Sequence, residues 1–391
     1  MEYPLATATW DSDEYEAIQR VVKSGNFTMG EEVRRFESAF AGHFQTSHAV
    51  MSNSGSSANL LALAAIRYSS LNPAGGQDEV IVPAVSWSTT YYPITQLGFK
   101  LKFVDIELDT LNASADSISR AIGPRTAGIV VVNLLGNPSE LAEIRELADT
   151  HGLFMVEDNC ESMGATYAGR FAGTFGDIGT FSSFFSHHIS TMEGGISVTD
   201  SLELKQVMTS LRAHGWTREL PAENFVHNKT GDDFDDLFRF VLPGYNLRPL
   251  ELEGAIGQEQ IKKISGIVAG RRENARKFLH IMEQFPEISI QREVGESSWF
   301  GFSLILESRS IRTRKDLVAS LRAYSIAVRP IVAGNFTRNP VLKHLNHVDL
   351  EPTPNADRIH TDGLFIGNHH YPMVHEFELL ESALKAFLGR K

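Results

Sequence analysis

Cysteine is almost missing from this 391-residue chain: Cys160 stands alone. One thiol cannot close an internal disulfide, nor can it by itself build a zinc–thiolate or iron–sulfur site. Long apolar runs are missing too. No stretch approaches the roughly 18 apolar residues of a membrane span. The opening Met1-Glu2-Tyr3-Pro4-Leu5 carries an acid where a secretory leader carries basic and then apolar residues. These absences predict a cytoplasmic protein with no membrane partner. Positive charge is scarce: 36 Lys and Arg against 48 Asp and Glu give a net charge of −12. That field repels a polyanion, so no nucleic-acid partner is expected. A small anionic ligand remains compatible wherever local arginines outweigh the field. Lysine is absent from the whole stretch between Lys102 and Lys205. Internal repeats and low-complexity tracts are absent as well.

What is present is an alternation of short apolar runs with helix-like stretches. Residues 79–83, 101–104, 128–134 and 153–156 are rich in Val, Ile and Phe and end at Pro, Asp or Asn, which predicts buried strands. Residues 114–122 and 139–150 have helical spacing between them, with Ser114 and Ser139 as expected N-caps. This order predicts an α/β fold whose mostly parallel sheet is flanked by helices, with ligands at the carboxyl ends of the strands. A polar, acidic stretch at 219–236 reads as a surface flap, and a long helix is expected over about 249–285. Strands at 299–306 and 326–332 and helices at 314–324 and 376–388 predict a smaller α+β C-terminal domain. The expected division is 1–245 for the large domain and 246–391 for the linking helix and small domain.

Three stretches carry chemistry. SNSGSSA at 52–58 opens an apolar helical run, and a Gly/Ser turn at a helix N-terminus offers free N–H groups to a phosphate, or is simply a cap. LFMVED at 153–158 ends a buried strand in two acids, one of which can reach a ligand in the crevice or cap a turn. The stretch 179–195, with adjacent His187 and His188 and a closing Gly-Gly, does not read as a core strand. Neighbours on an extended chain point to opposite faces, so no metal site is expected from that pair.

Together these segments resemble the DegT/DnrJ/EryC1/StrS family, the sugar-modifying branch of the aspartate aminotransferase superfamily, over nearly the whole chain. The resemblance implies the type I fold of transferases dependent on pyridoxal 5′-phosphate (PLP). VPAVSW at 82–87 fits the segment whose aromatic stacks on the cofactor ring, which assigns that role to Trp87. EDNCE at 157–161 fits the family's acid strand, so Asp158 is implied as the partner of the pyridine nitrogen. Glu161, where the family has Gln or His, is implied near the ring hydroxyl. Ser56, Ser57 and Ser183 match phosphate ligands. GYNLR at 244–248 resembles the segment that reaches into a neighbouring subunit, with Asn246 on that subunit's cofactor phosphate. A homodimer with shared active sites is implied.

One departure matters most. The family's aminotransferases carry a lysine five residues after the serine matched by Ser183; here that position is His188, and the lysine-free stretch offers no substitute. The cofactor cannot be tethered covalently at the usual place. This exchange marks the family's 3-dehydratases. One kind acts on a CDP-linked sugar and holds an iron–sulfur cluster on several cysteines, which Cys160 alone excludes. The other acts without a cluster on a GDP-linked 4-keto-6-deoxy-mannose. SSFFSHH (182–188), TMEGG (191–195) and AHGWTR (213–218) resemble it. The resemblance therefore implies a chain that uses PLP and pyridoxamine 5′-phosphate (PMP), with L-glutamate as amino donor. It would remove the C3 hydroxyl of a nucleotide-linked 4-keto-6-deoxy sugar on the way to GDP-colitose, with His188 as the acid–base group. His214, Arg218 and Arg329 lie in family-like segments and are the candidate substrate ligands, surface ion pairing being the alternative for the arginines. Two other readings stay open. A 4-aminotransferase would need lysine at position 188, and an inactive scaffold relative would have no use for Trp87, Asp158, Ser183 and Asn246.

Overall fold

Apolar runs of strand length, separated by amphipathic stretches of helix length, have to bury both faces of a sheet. In the computed structural model, which describes residues 1–307 and 312–390, they do. Helices α1 (Ser12–Ser24) and α2 (Glu31–Phe44) precede strand β1 (His48–Ser52) and helix α3 (Gly55–Arg67). The alternation then runs β2 (Glu79–Pro83), α4 (Ser88–Gln96), β3 (Lys100–Val104), α5 (Ala115–Ala121), β4 (Thr126–Val132), α6 (Leu141–His151), β5 (Phe154–Asp158). A hairpin of β6 (Thr166–Tyr167) and β7 (Arg170–Phe171) leads to β8 (Ile178–Ser182), β9 (Gly195–Thr199) and α7 (Leu202–Arg212). The sheet order is β1-β9-β8-β5-β4-β2-β3. Strands β2, β3, β4, β5 and β8 run parallel, and β9 is antiparallel to both its neighbours.

Beyond an exposed strap containing the short α8 (Asp233–Asp236), helix α9 (Glu251–Met282) runs 32 residues to a second sheet. Strands β10 (Ile288–Ser289), β11 (Gly301–Leu306), β12 (Val328–Arg329) and β13 (Gly363–Gly367) order as β10-β11-β13-β12. Helices α10 (Arg314–Ala323), α11 (Pro354–Asp362) and α12 (Val374–Leu388) accompany it. The N-terminus joins this layer: buried Tyr3 bridges to Ile326 and its hydroxyl donates to the Gly367 carbonyl at 2.7 Å. No helix among the described residues is long and apolar enough to cross a membrane.

Several boundaries differ from the sequence reading, each for a local reason. Ser114 caps α5 as expected, accepting from the Ser117 N–H. Ser139 caps nothing, because its hydroxyl donates to the Val132 carbonyl and α6 starts only at Leu141. Strand β4 stops at Val132, where the chain turns through a 3-10 segment with Leu135 at φ 54°. Trp299 at φ 49° delays β11 to Gly301. The expected strand at 326–332 shrinks to Val328–Arg329, because Pro330 has no N–H for a ladder. The stretch 179–195 is a correction: it opens as the fully buried strand β8, and only 183–194 is loop.

Candidate active site

Strands β4, β5 and β8 end together, and the functional side chains gather at those ends. On β5 alternation separates the two acids. Glu157 is fully buried and accepts from the N–H groups of Gly173 (2.7 Å), Phe175 (2.5 Å) and Gly176 (2.7 Å), which ties down the turn before β8. Burial raises its pKa against the pull of those donors. Asp158 points the other way. Its Oδ2 accepts from Asn59 Nδ2 at 2.8 Å and Thr90 Oγ1 at 2.7 Å, whereas its Oδ1 accepts a longer 3.3 Å bond from the Cys160 N–H, and the Cys160 thiol lies against the same carboxylate.

The Gly/Ser turn is an N-terminus of the kind the sequence suggested, with its start at Gly55. Ser54 is the cap, accepting from the Ser57 N–H at 3.1 Å, and the N–H groups of Gly55 and Ser56 precede the first intrahelical bond. The Ser57 hydroxyl donates to Asn53 Oδ1 at 2.6 Å, and the more exposed Ser56 hydroxyl donates to Thr89 Oγ1 at 3.0 Å. Ser183 lies just past β8, its hydroxyl 2.6 Å from Thr191 Oγ1. The Gly-Gly pair is steric in purpose: a Cβ on Gly195 would lie 2.1 Å from the Ser54 carbonyl oxygen. Only glycine lets β9 pass this close to the helix N-terminus. Trp87, immediately before α4, leaves 58% of its surface exposed.

His188 lies in the loop after β8 and is fully buried. Its Nε2 is 3.2 Å from the Ser298 carbonyl oxygen, which accepts only, so the proton of the neutral ring belongs on Nε2. That leaves the Nδ1 lone pair without a partner. Burial, then the charge of Arg271, then His187 hold the ring's pKa well below its usual value, so it is neutral at pH 7. The same two leading causes push His187 down to about 4. Ser298 is held by its own N–H donating to Gly136 O at 2.9 Å, and the neighbouring Leu135 N–H donates to Glu161 Oε2 at 3.0 Å. A short backbone relay thus links Glu161 to His188.

Burial, with the Asp158 charge adding, raises the Glu161 carboxyl to about 7. The folded protein therefore keeps a proton that the unfolded chain releases between about pH 4.5 and 7. Stability from this group is complete at low pH and is lost as pH rises through 7, by at most about 3 kcal/mol. Urea unfolding at pH 5 and pH 8 should show Glu161→Gln losing less stability over that interval than the parent. Equal losses would place the carboxyl's titration elsewhere.

The remaining expected residues fall into two other places. His214 (φ 62°) donates its N–H to Tyr245 O at 2.6 Å and packs its ring on Trp216. Arg218 stacks over Trp216 at 4.1 Å and Phe238 at 4.6 Å. Exposed Asn246 pairs with Ala213 and accepts from Arg248 Nε at 3.0 Å. These three share one surface strap, joined to the Gly/Ser turn through the Asn53 N–H on Leu247 O at 3.0 Å. Arg329 is exposed on the edge strand β12 of the second sheet, apart from them. Sequence reasoning missed Asn59, Thr90 and Ser298. Asn59 carried a signal: it is the single polar residue in the apolar run 59–65.

This fold and this set of strand-end groups define a class. The model of the DegT/DnrJ/EryC1/StrS aminotransferase family matches residues 8–378, and the chain belongs to that family. Its fold is the type I fold of the PLP-dependent transferases. Among its relatives is GDP-4-keto-6-deoxy-D-mannose 3-dehydratase of Escherichia coli O55:H7, 49% identical over 98% of this chain and 100% of that protein. A crystal structure of GDP-4-keto-6-deoxymannose-3-dehydratase with a trapped PLP-glutamate geminal diamine superposes with a TM-score of 0.95 at 49% identity, covering 98% of this chain and 100% of that one. A histidine-to-asparagine mutant of that enzyme with bound GDP-perosamine matches with the same score, identity and coverage.

Proposed function

We propose that this chain is a PLP- and glutamate-dependent 3-dehydratase of GDP-4-keto-6-deoxy-D-mannose, forming the 4-keto-3,6-dideoxy sugar. The observation that carries this reading is His188: a buried, neutral imidazole with an open Nδ1 stands where a tethering lysine is absent. The relatives' whole-length identity supports the substrate.

The residues present fit PLP and its amine form, PMP. Asp158 offers an unsaturated oxygen at a strand end, α3 offers free N–H groups, and Trp87 offers an exposed ring face. When bound, the cofactor supplies an electron sink and, as the amine, the nitrogen and two electrons for deoxygenation. Asp158 keeps the ring nitrogen protonated. Gly55, Ser56, Ser57 and Ser183 hold the phosphate, and Trp87 covers the ring. His188, starting neutral, takes the proton from the cofactor's C4′ carbon and returns it to the departing C3 hydroxyl. Glu161 sits by the ring hydroxyl and steadies His188 through the Leu135–Ser298 backbone. His214, Arg218 and Arg329 bind the sugar nucleotide. Asn246 reaches the phosphate in a second copy, which makes the working unit a homodimer of cytoplasmic subunits. The proposed division stays at 1–245 and 246–391.

The test is incubation with PLP, glutamate and GDP- or CDP-linked 4-keto-6-deoxy sugar. Release of 2-oxoglutarate and ammonia with a 3-deoxy product is expected from the GDP sugar. An amino sugar that keeps the nitrogen would overturn the reading.

A further inference from the structure

Asp158 does not stand alone at the end of β5. Its Oδ2 is claimed twice, by Asn59 from α3 and by Thr90 from α4, and both donors are themselves held. A carboxylate only accepts, so the Asn59 amide must turn its nitrogen to Asp158. Its oxygen then accepts from Thr180 Oγ1 of β8 at 2.6 Å, which fixes that orientation. The single hydroxyl proton of Thr90 goes to Asp158, so the 2.8 Å contact between Ser86 and Thr90 has Ser86 donating. All five side chains are buried. Every bond in the chain points toward the same oxygen: Ser86 to Thr90 to Asp158 from one side, Thr180 to Asn59 to Asp158 from the other. Such a network polarises in one direction and fixes one rotamer of the carboxylate. Oδ1 is left as the oxygen with capacity to spare. The two arms also end in telling places. Ser86 precedes Trp87, and Asn59 lies one turn into the helix whose N-terminus is the Gly/Ser turn.

We propose that Asn59 and Thr90 are positioning residues that saturate one oxygen of Asp158 and aim the other at the ring nitrogen of the pyridine cofactor. They also fix that carboxylate relative to the aromatic cover and the phosphate turn. This rests on the reading of Asp158 as the ring-nitrogen partner. Removing a donor from a charged acceptor in a buried site weakens what that acceptor holds, typically by tenfold or more.

The experiment compares Thr90→Val, Thr90→Ser, Asn59→Ala and Asp158→Asn in the full chain. It measures PMP and PLP dissociation constants by tryptophan quenching and follows the bound cofactor's absorption band against pH. Thr90→Val and Asn59→Ala are each expected to weaken PMP binding about tenfold. They should also move the band's pH midpoint down, because the ring nitrogen loses its proton more easily. Thr90→Ser, which keeps the hydroxyl, should restore both; a merely structural role would leave the pH midpoint in place. If Thr90→Val does not fold, Asn59→Ala decides in the same assays. Parental affinity and midpoint in both variants, with Asp158→Asn altered in both, would overturn the positioning role alone. Parental behaviour in Asp158→Asn would remove the reading beneath it.

Discussion

His188→Asn is expected to slow dehydration of the sugar by about three orders of magnitude, within the range general acid–base groups contribute, while the protein stays folded. Asparagine sets its amide over the Nδ1 edge of the ring and falls short of the Ser298 carbonyl that Nε2 meets, so one neutral hydrogen bond of about 1 kcal/mol is lost, too little to unfold the protein. What it lacks is a titratable lone pair in place of Nδ1, the one atom of the ring left without a partner. Because the same group would serve the glutamate step, steady-state rates would mix two losses. Single-turnover conversion of the GDP-linked sugar with PMP supplied directly isolates the sugar step. Circular dichroism and PMP affinity near those of the parent should accompany the loss. Normal turnover would remove His188 from the chemistry and assign the proton transfer to another group.

Much of this was legible because the relevant signals are local. Strand β5 announced itself as an apolar run ending in acids, the cap at Ser114 lay beside its helix, and the missing lysine could be read by counting from Ser183. The rest depended on partners far away in the chain. Ser298, which sets the tautomer of His188, is 110 residues distant. Asn59 meets Asp158 across 99 residues, and its place in a run of Leu and Ala marks it as unusual without naming that partner. Strand β8 was missed because Gly-Thr-Phe-Ser has no apolar periodicity, yet every residue of Ile178–Ser182 is buried between neighbours on both sides. Tertiary context overrides local preference most readily in such short, centrally placed strands.

The pair Glu157–Asp158 shows the difference most sharply, because two adjacent acids that look interchangeable in sequence should fail in opposite ways. Glu157→Gln is expected to destabilise the ligand-free protein by about 1–3 kcal/mol, the cost of one buried donor left unsatisfied. Both carboxylate oxygens are in use: Oε1 takes the Phe175 and Gly176 N–H groups, and Oε2 takes that of Gly173. An amide has one oxygen, so its NH₂ must face an N–H wherever it is turned. Asp158→Asn meets that conflict at one long bond only, the 3.3 Å contact from the Cys160 N–H. Its amide oxygen can take both Asn59 and Thr90, leaving the NH₂ toward the side where Oδ1 had room. Its fold should therefore stay within about 1 kcal/mol of the parent, near the net value of an ordinary hydrogen bond. The NH₂ then donates where the ring nitrogen needs an acceptor, so PMP binding and dehydration should fall together. Urea unfolding of the two ligand-free variants beside PMP titration separates the outcomes. A stable Glu157→Gln, or an Asp158→Asn that binds PMP like the parent, would show that the two faces of β5 are assigned the wrong way round.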